Sequence, residues 1–439
     1  MPQTRDMPLV LVSPFQLTIE VGDTLAYRFG SGHNLTKGAE MYDTLTLEKY
    51  ADVLFWALSR ARQKPFAKSD IILVNYDIDG LPLAEEVCAL LHDKGMIPVP
   101  RMNETPRMQV DKYTKSNNKR LTTLIPGQRD LYNHLNGSIS IYAPASLGHL
   151  AGIDPELIAM HGKAQQPLRT IMQTREDMGS FSWTLCMYPT QALAAQAGLP
   201  IEEYARQIEQ ACYLTHAQPT LEWSKFAKQV DELKHWLNSF GNCIMHVESE
   251  SVDMTVRIGE QRKWIGFTGR NIPSFEMYVS PDLRETQGKY TSTLPTFRSG
   301  NIIGDITLEF KDGRVTSVSC EHTQQFVEQQ LNQDQGAALV GEFALVDKRF
   351  SPISKFMANT LYDENHGGEH GSMHIALGNS YSNTFSGPTE QLTEEKRRKL
   401  GFNTSALHWD LVNTEKKRVV AQLPDGKRVT VYENGQFSL

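Results

Sequence analysis

Ile71-Ile72-Leu73-Val74-Asn75-Tyr76, closed by Asp77-Ile78-Asp79-Gly80 and followed by Leu81-Pro82-Leu83, is the stretch that sets the class of the first half. Four consecutive aliphatic residues read as a strand covered on both faces. The acidic turn ends it. Pro82 then sits in the first turn of a helix with Leu83, Val87, Leu90 and Leu91 as its buried stripe, and Gly95 closes that helix. Ile97-Pro98-Val99 reads as the next strand and Ile139-Ser140-Ile141-Tyr142 as another. Strand, helix and strand in this order predict an α/β domain with a mainly parallel sheet.

Further along, residues 201–215 and 221–240 read as two bridging helices. The second carries Trp223, Phe226, Val230, Leu233 and Leu237 on one apolar face, which marks it as core or domain interface. From about Cys243 the periodicity changes to two. Val252, Met254, Val256 and Ile258 alternate with polar residues, and Ile306, Leu308 and Phe310 repeat the pattern. Asp312-Gly313 and Asp425-Gly426 both read as tight hairpin turns, because Asp-Gly tolerates positive φ. The expected division is an N-terminal α/β domain with bridging helices over residues 1–240 and an α+β catalytic domain on antiparallel sheet over residues 241–439. A chain of 439 residues is long for a single core, which agrees with two domains.

Composition narrows the function. A net charge of −7 without a basic run argues against nucleic acid as a partner. The apolar patch at residues 8–12 lacks a basic leader, and no apolar run approaches the ~18 residues of a membrane span. The five cysteines, Cys88, Cys186, Cys212, Cys243 and Cys320, are scattered and never spaced C-x-x-C. That pattern reads as reduced thiols in a cytoplasm. Two apparent motifs carry little weight. Asp77-x-Asp79-Gly80 resembles an aspartyl-phosphate motif but has Leu81 where Thr or Val is usual, so the acidic pair reads better as helix-capping turn residues. Gly30-Ser31-Gly32 lacks the third glycine and βαβ frame of a nucleotide loop.

The chemistry concentrates between residues 271 and 410. Glu342 follows Gly341 and leads into Phe343-Ala344-Leu345-Val346, an apolar strand that draws its carboxylate out of water. A carboxylate buried there requires a metal, a proton or a cation beside it. His408 and Asp410, two apart in extended backbone, point to one side, with Leu407, Trp409 and Leu411 turned the other way into core. His366, His370 and His374 are four apart, but Gly367, Gly368 and Gly371 argue against a helical ladder. Of the three, His374 leads the smoothest apolar segment. Glu276, after Asn271-Ile272-Pro273, is on its own an ordinary glutamate near a loop. Carboxylates and imidazoles gathered this way are ligands for hard or borderline divalent metals.

Asn271-x-Pro273-x-x-Glu276-x-Tyr278-x-x-Pro281, Gly341-Glu342-x-Ala344-Leu345-Val346, Ser351-Pro352-Ile353, Leu361-x-Asp363-Glu364-Asn365, His374-Ile375-Ala376-x-Gly378-x-x-Tyr381 and His408-x-Asp410 together resemble the thermophilic-type metalloaminopeptidase family. The likeness extends from about residue 45 to the C-terminus. It implies a cytoplasmic, dimeric enzyme that uses two divalent ions (Zn, Co, Mn or Mg) to release amino acids from peptides with a free N-terminus. By motif, Glu276, Glu342, Glu364, His374, His408 and Asp410 would be the metal ligands. Glu342 would also be the general base for an attacking hydroxide shared by the ions, and Tyr381 would stabilise the transition state. The scaffold is also similar to Fe(II) ring-cleaving dihydroxypyridine-type dioxygenases, for which His374, His408 and Asp410 would form the iron triad. Glu276 and Glu342 favour the hydrolase, since a one-iron site has no use for them.

Overall fold

The computed structural model describes residues 41–62, 64–298 and 301–439; the Gly30-Ser31-Gly32 segment and the apolar patch at residues 8–12 lie outside them. The strand opened by Ile71 runs to Tyr76 as an inner strand of a five-stranded sheet, ordered Ile97–Met102, Ile71–Tyr76, Gly137–Tyr142, Ser182–Met187 and Asn271–Ile272. All of its pairings are parallel. Ile72, Leu73 and Val74 are buried, as a run without alternation requires. The helix Leu81–Asp93 has Pro82 in its first turn, and Gly95 follows its end at φ 74°.

The acidic turn does not cap that helix. Asp77 accepts from the Ala143 backbone N–H at 2.8 Å and from Asn103 Nδ2 at 2.9 Å, tying together loops at the carboxyl ends of three strands. Both of its oxygens are engaged in this structural role.

Trp223, Phe226, Val230, Leu233 and Leu237 all face the core from the helix Pro219–Asn238. The Trp223 ring stacks on Phe267 and Phe275 at 4.9 and 5.5 Å. The preceding helix stops at Ala211, shorter than its periodicity suggests. Tyr213 takes a left-handed φ of 59°, which turns its ring to within 4.9 Å of Trp223.

The period-two segments form an eight-stranded antiparallel sheet that includes Asp253–Arg257, Thr307–Lys311, Arg418–Gln422 and Arg428–Glu433. Asp312 and Gly313 both take positive φ, 51° and 78°, as a two-residue hairpin needs. Asp425-Gly426 departs from expectation: only Gly426 is left-handed, and the loop opens to span Leu423 to Lys427. A separate four-stranded antiparallel sheet, ordered His408–Asn413, Ser372–Gly378, Val340–Val346 and Glu276–Val279, carries five of the six candidate ligands, while Glu364 follows the short helix Thr360–Asp363. Asn271 and Ile272 pair with Leu185 and Cys186 at the edge of the parallel sheet. Glu276 therefore starts its strand only four residues after an anchor in the other sheet.

Candidate metal centre

Strand register explains how distant residues meet. Glu342 lies opposite Ala376, which lies opposite Asp410; Tyr278 lies opposite Ala344, which lies opposite His374. Side chains alternate along a strand, so Glu276, Tyr278, Glu342, His374, His408 and Asp410 share one face of the four-stranded sheet. The opposite face presents Met277, Val279, Phe343, Leu345, Met373, Ile375, Leu377, Trp409 and Leu411, all buried. Ala344 and Ala376 stand in the middle of the polar face. Their single methyl groups leave the floor of the site open.

The register of the glutamate strand shifts between Val340 and Glu342, making Gly341 the extra residue of a bulge. Bulges re-aim the residues beside them. A Cβ on Gly341 would sit 2.3 Å from the Gly378 carbonyl and 2.5 Å from that of Asn379. Gly341→Ala is therefore expected to cost about 1–3 kcal/mol, as overpacking does, and to misplace Glu342. Urea unfolding together with turnover tests this; wild-type values of both would mean that the bulge does not set the site.

Two close ligand sets share Glu342. Glu276, Glu342 and His374 form one and Glu342, His408 and Asp410 the other, with the donor atoms of each set within 4.8 Å of one another. His374 Nε2 lies 3.2 Å from Glu276 Oε2 and 3.4 Å from Glu342 Oε1. His408 Nε2 lies 3.4 Å from both Glu342 Oε2 and Asp410 Oδ1. On its other side the His408 ring donates from Nδ1 to the Asn379 carbonyl at 2.9 Å, which presents Nε2 to the site.

Neighbouring charge and burial shape this centre. Burial opposes charge on His408, but Asp410 and Glu342 outweigh it and push its pKa to about 11. Burial likewise works against a charged His374, and Glu276 and Glu342 raise it well above the ordinary imidazole value. Burial raises Glu276, and its neighbour Glu342 adds to the effect. Among the described residues Glu276 Oε2, Glu342 Oε2 and His374 Nδ1 are buried without a well-formed hydrogen bond. Carboxylates crowded together in a buried site carry a desolvation cost of several kcal/mol, and for Glu276 the imidazole contact offsets it only in part. An oxygen and nitrogen donor set with no thiolate fits divalent Zn, Co, Mn or Mg ions, which would supply the missing positive charge.

Glu364 and Tyr381 line the same cavity of about 1130 Å³. Glu364 stands outside both close sets. Burial and then the charge of Glu276 and Asp410 raise its pKa well above normal. The Tyr381 ring packs 4.6 Å from that of His408. Desolvation, followed by the charge of Glu342 and Asp410, keeps its phenol protonated and able to donate.

Among the three histidines spaced by four, only His374 joins the centre. His370 stays partly exposed, 3.9 Å from Glu369. His366 is buried elsewhere, and burial with the nearby Lys417 charge lowers its pKa to about 4. In the unfolded chain it titrates near 6.5. As pH falls from 6.5 to 4 the unfolded state takes up this proton and the folded state does not. Stability is lost across that window, by about 3 kcal/mol for this group. His366→Gln is expected to flatten that part of a pH series of urea unfolding; parallel slopes for variant and wild type would refute the assignment.

Asn365 was legible as part of a motif but not by its role. Its Oδ1 accepts from the backbone N–H groups of Phe275 and Glu276 at 2.5 and 3.1 Å, and its Nδ2 donates to the Leu361 carbonyl at 3.0 Å. It clamps the start of the Glu276 strand. Asp363 beside it accepts from the backbone N–H of Met357 and Asn359 and is structural.

The model of the thermophilic metalloprotease family, M29, matches residues 44–437. Aminopeptidase PepS of Streptococcus thermophilus is 27% identical over 309 residues, covering 65% of this chain and 72% of that protein. Aminopeptidase T of Thermus aquaticus is 28% identical over 310 residues, 66% of this chain and 73% of its own length. Among solved structures, wild-type AmpT from Thermus thermophilus superposes with a TM-score of 0.74 at 20% identity, over 90% of this chain and 99% of that one. At that identity the superposition speaks for the fold. Nothing in these matches supports the dioxygenase reading.

Proposed function

This chain belongs to the thermophilic metalloprotease family M29, and on that footing we propose that it is a two-metal aminopeptidase releasing N-terminal amino acids from peptides. The observation that carries the proposal is the position of Glu342, common to two ligand sets with one imidazole and one further carboxylate each. Glu276 and His374 would hold one ion, His408 and Asp410 the other, and Glu342 both. Glu364, which lines the same cavity outside both sets, would be the sixth ligand. When bound, divalent ions supply an acidified water, with its pKa lowered from 15.7 toward about 7, and polarise the scissile carbonyl.

The protein's own groups do the rest. Glu342 accepts the proton of the attacking water and delivers it to the departing peptide nitrogen. The Tyr381 hydroxyl donates to the oxygen that gains negative charge at the carbonyl. The apolar floor beneath Ala344 and Ala376 excludes bulk water from that side, which strengthens each of these interactions. Five unpaired cysteines, three of them buried, accord with a reducing cytoplasm, and we include a homodimer of this chain in the proposal on the family likeness.

The test is metal-free protein assayed on aminoacyl-p-nitroanilides with Co²⁺, Zn²⁺, Mn²⁺ or Mg²⁺ restored, alongside elemental analysis. Hydrolysis that returns with added ion, requires an unblocked α-amine and accompanies two ions per chain is expected. No turnover with any ion, or never more than one ion bound, would refute it.

A further inference from the structure

Among the described residues, two cationic side chains line the cavity apart from the imidazole of His408. Arg270 is taken by Glu176, with contacts from Nη2 at 2.5 Å and Nε at 2.8 Å. Lys263 is half-buried, and among the described residues its ammonium makes no ion pair or hydrogen bond. Its backbone, by contrast, is held on both sides. The Lys263 N–H donates to the Thr384 carbonyl at 2.8 Å, and two residues on, Ile265 exchanges backbone hydrogen bonds with Tyr278 at 2.8 and 2.9 Å. Lys263 thus projects from an anchored backbone as a cation with no partner among the described residues, in a cavity whose other charges are mostly negative.

Its place in the sheet gives a length. The segment carrying Ile265 borders the strand Glu276–Val279, which borders the strand of Glu342. Neighbouring strands lie about 4.8 Å apart, so Lys263 stands on the order of 10 Å from the centre. An extended peptide advances about 3.5 Å per residue, so that span corresponds to two or three residues. Asn383 lines the same cavity and donates from Nδ2 to the Tyr278 hydroxyl at 2.8 Å.

We propose that Lys263 binds the terminal α-carboxylate of short peptides, making di- and tripeptides with a free C-terminus the preferred substrates. This rests on the aminopeptidase reading above. The free amine goes to the metal end and the carboxylate to Lys263.

The test compares kcat/KM for leucyl-glycine, leucyl-glycyl-glycine and a leucine-led hexapeptide, each as free acid and as C-terminal amide. A charged hydrogen bond in a half-buried site corresponds to roughly tenfold. Wild type is expected to favour the free acid about tenfold for the two short peptides, chiefly through KM, and to show no preference for the hexapeptide. Lys263→Met should bring the short-peptide ratio to about 1, and Lys263→Arg should keep most of it. Equal rates for acid and amide in wild type, or a preference that survives Lys263→Met, overturns this inference while leaving the peptidase reading standing. No hydrolysis of any of the six peptides overturns the peptidase reading instead.

Discussion

Glu342→Gln is expected to fold and to lose at least about 10³-fold in kcat, the range over which a displaced proton acceptor and a misdirected metal-held water both act. The substitution is nearly isosteric but changes two things at once. The amide cannot take a proton from water, and its NH₂ group turns a donor toward one of the two imidazoles that now approach Glu342 at 3.4 Å. Stability should fall as well in metal-free protein. Glu342 is 2% exposed and lies 3.4 Å from both His374 and His408, so a neutral side chain leaves two buried imidazoles, held charged by the surrounding carboxylates, short of one of them. The variant is therefore expected to stay folded but melt lower than wild type without metal, and to gain less from added ion. Circular dichroism melts, elemental analysis and steady-state turnover measured together decide the matter. Near-normal kcat would remove Glu342 from the mechanism.

Removal of metal is the second large effect. Chelation should abolish turnover and destabilise the folded chain, because four carboxylates would remain with only two imidazoles, and no metal ion, to offset their charge. Restored ion that binds only the folded state contributes about 4 kcal/mol when present at a thousand times its Kd. The melting temperature should consequently rise by several degrees with ion concentration, and continue to rise after activity saturates. A melting temperature that ignores added Zn²⁺, Co²⁺, Mn²⁺ and Mg²⁺ alike would contradict the centre described here.

The parallel sheet and the polar face could be read locally because each depends on a repeat of a few residues. Ile71 to Val74 announces a doubly covered strand, and His408-x-Asp410 places two ligands on one side wherever that strand goes. Other features did not follow from local pattern. The two-residue strand Asn271–Ile272 is too short to show periodicity, although it joins the Glu276 strand to the parallel sheet. Asp77 sits where a helix cap would, but its bonds run to Ala143 and Asn103, 66 and 26 residues away. Asn365 has an ordinary sequence environment, and its clamp on Glu276 appears only across 89 residues of chain.

Side-chain alternation and residue type, both local properties, already committed the chain to an α/β half, an antiparallel half and a set of oxygen and nitrogen donors. Choosing among His366, His370 and His374, making Glu342 common to two ligand sets, and leaving Lys263 without a partner among the described residues all required strands remote in sequence to pair in one register. Pairing register is a balance of burial and hydrogen bonding over whole sheets, and no window of neighbouring residues contains it.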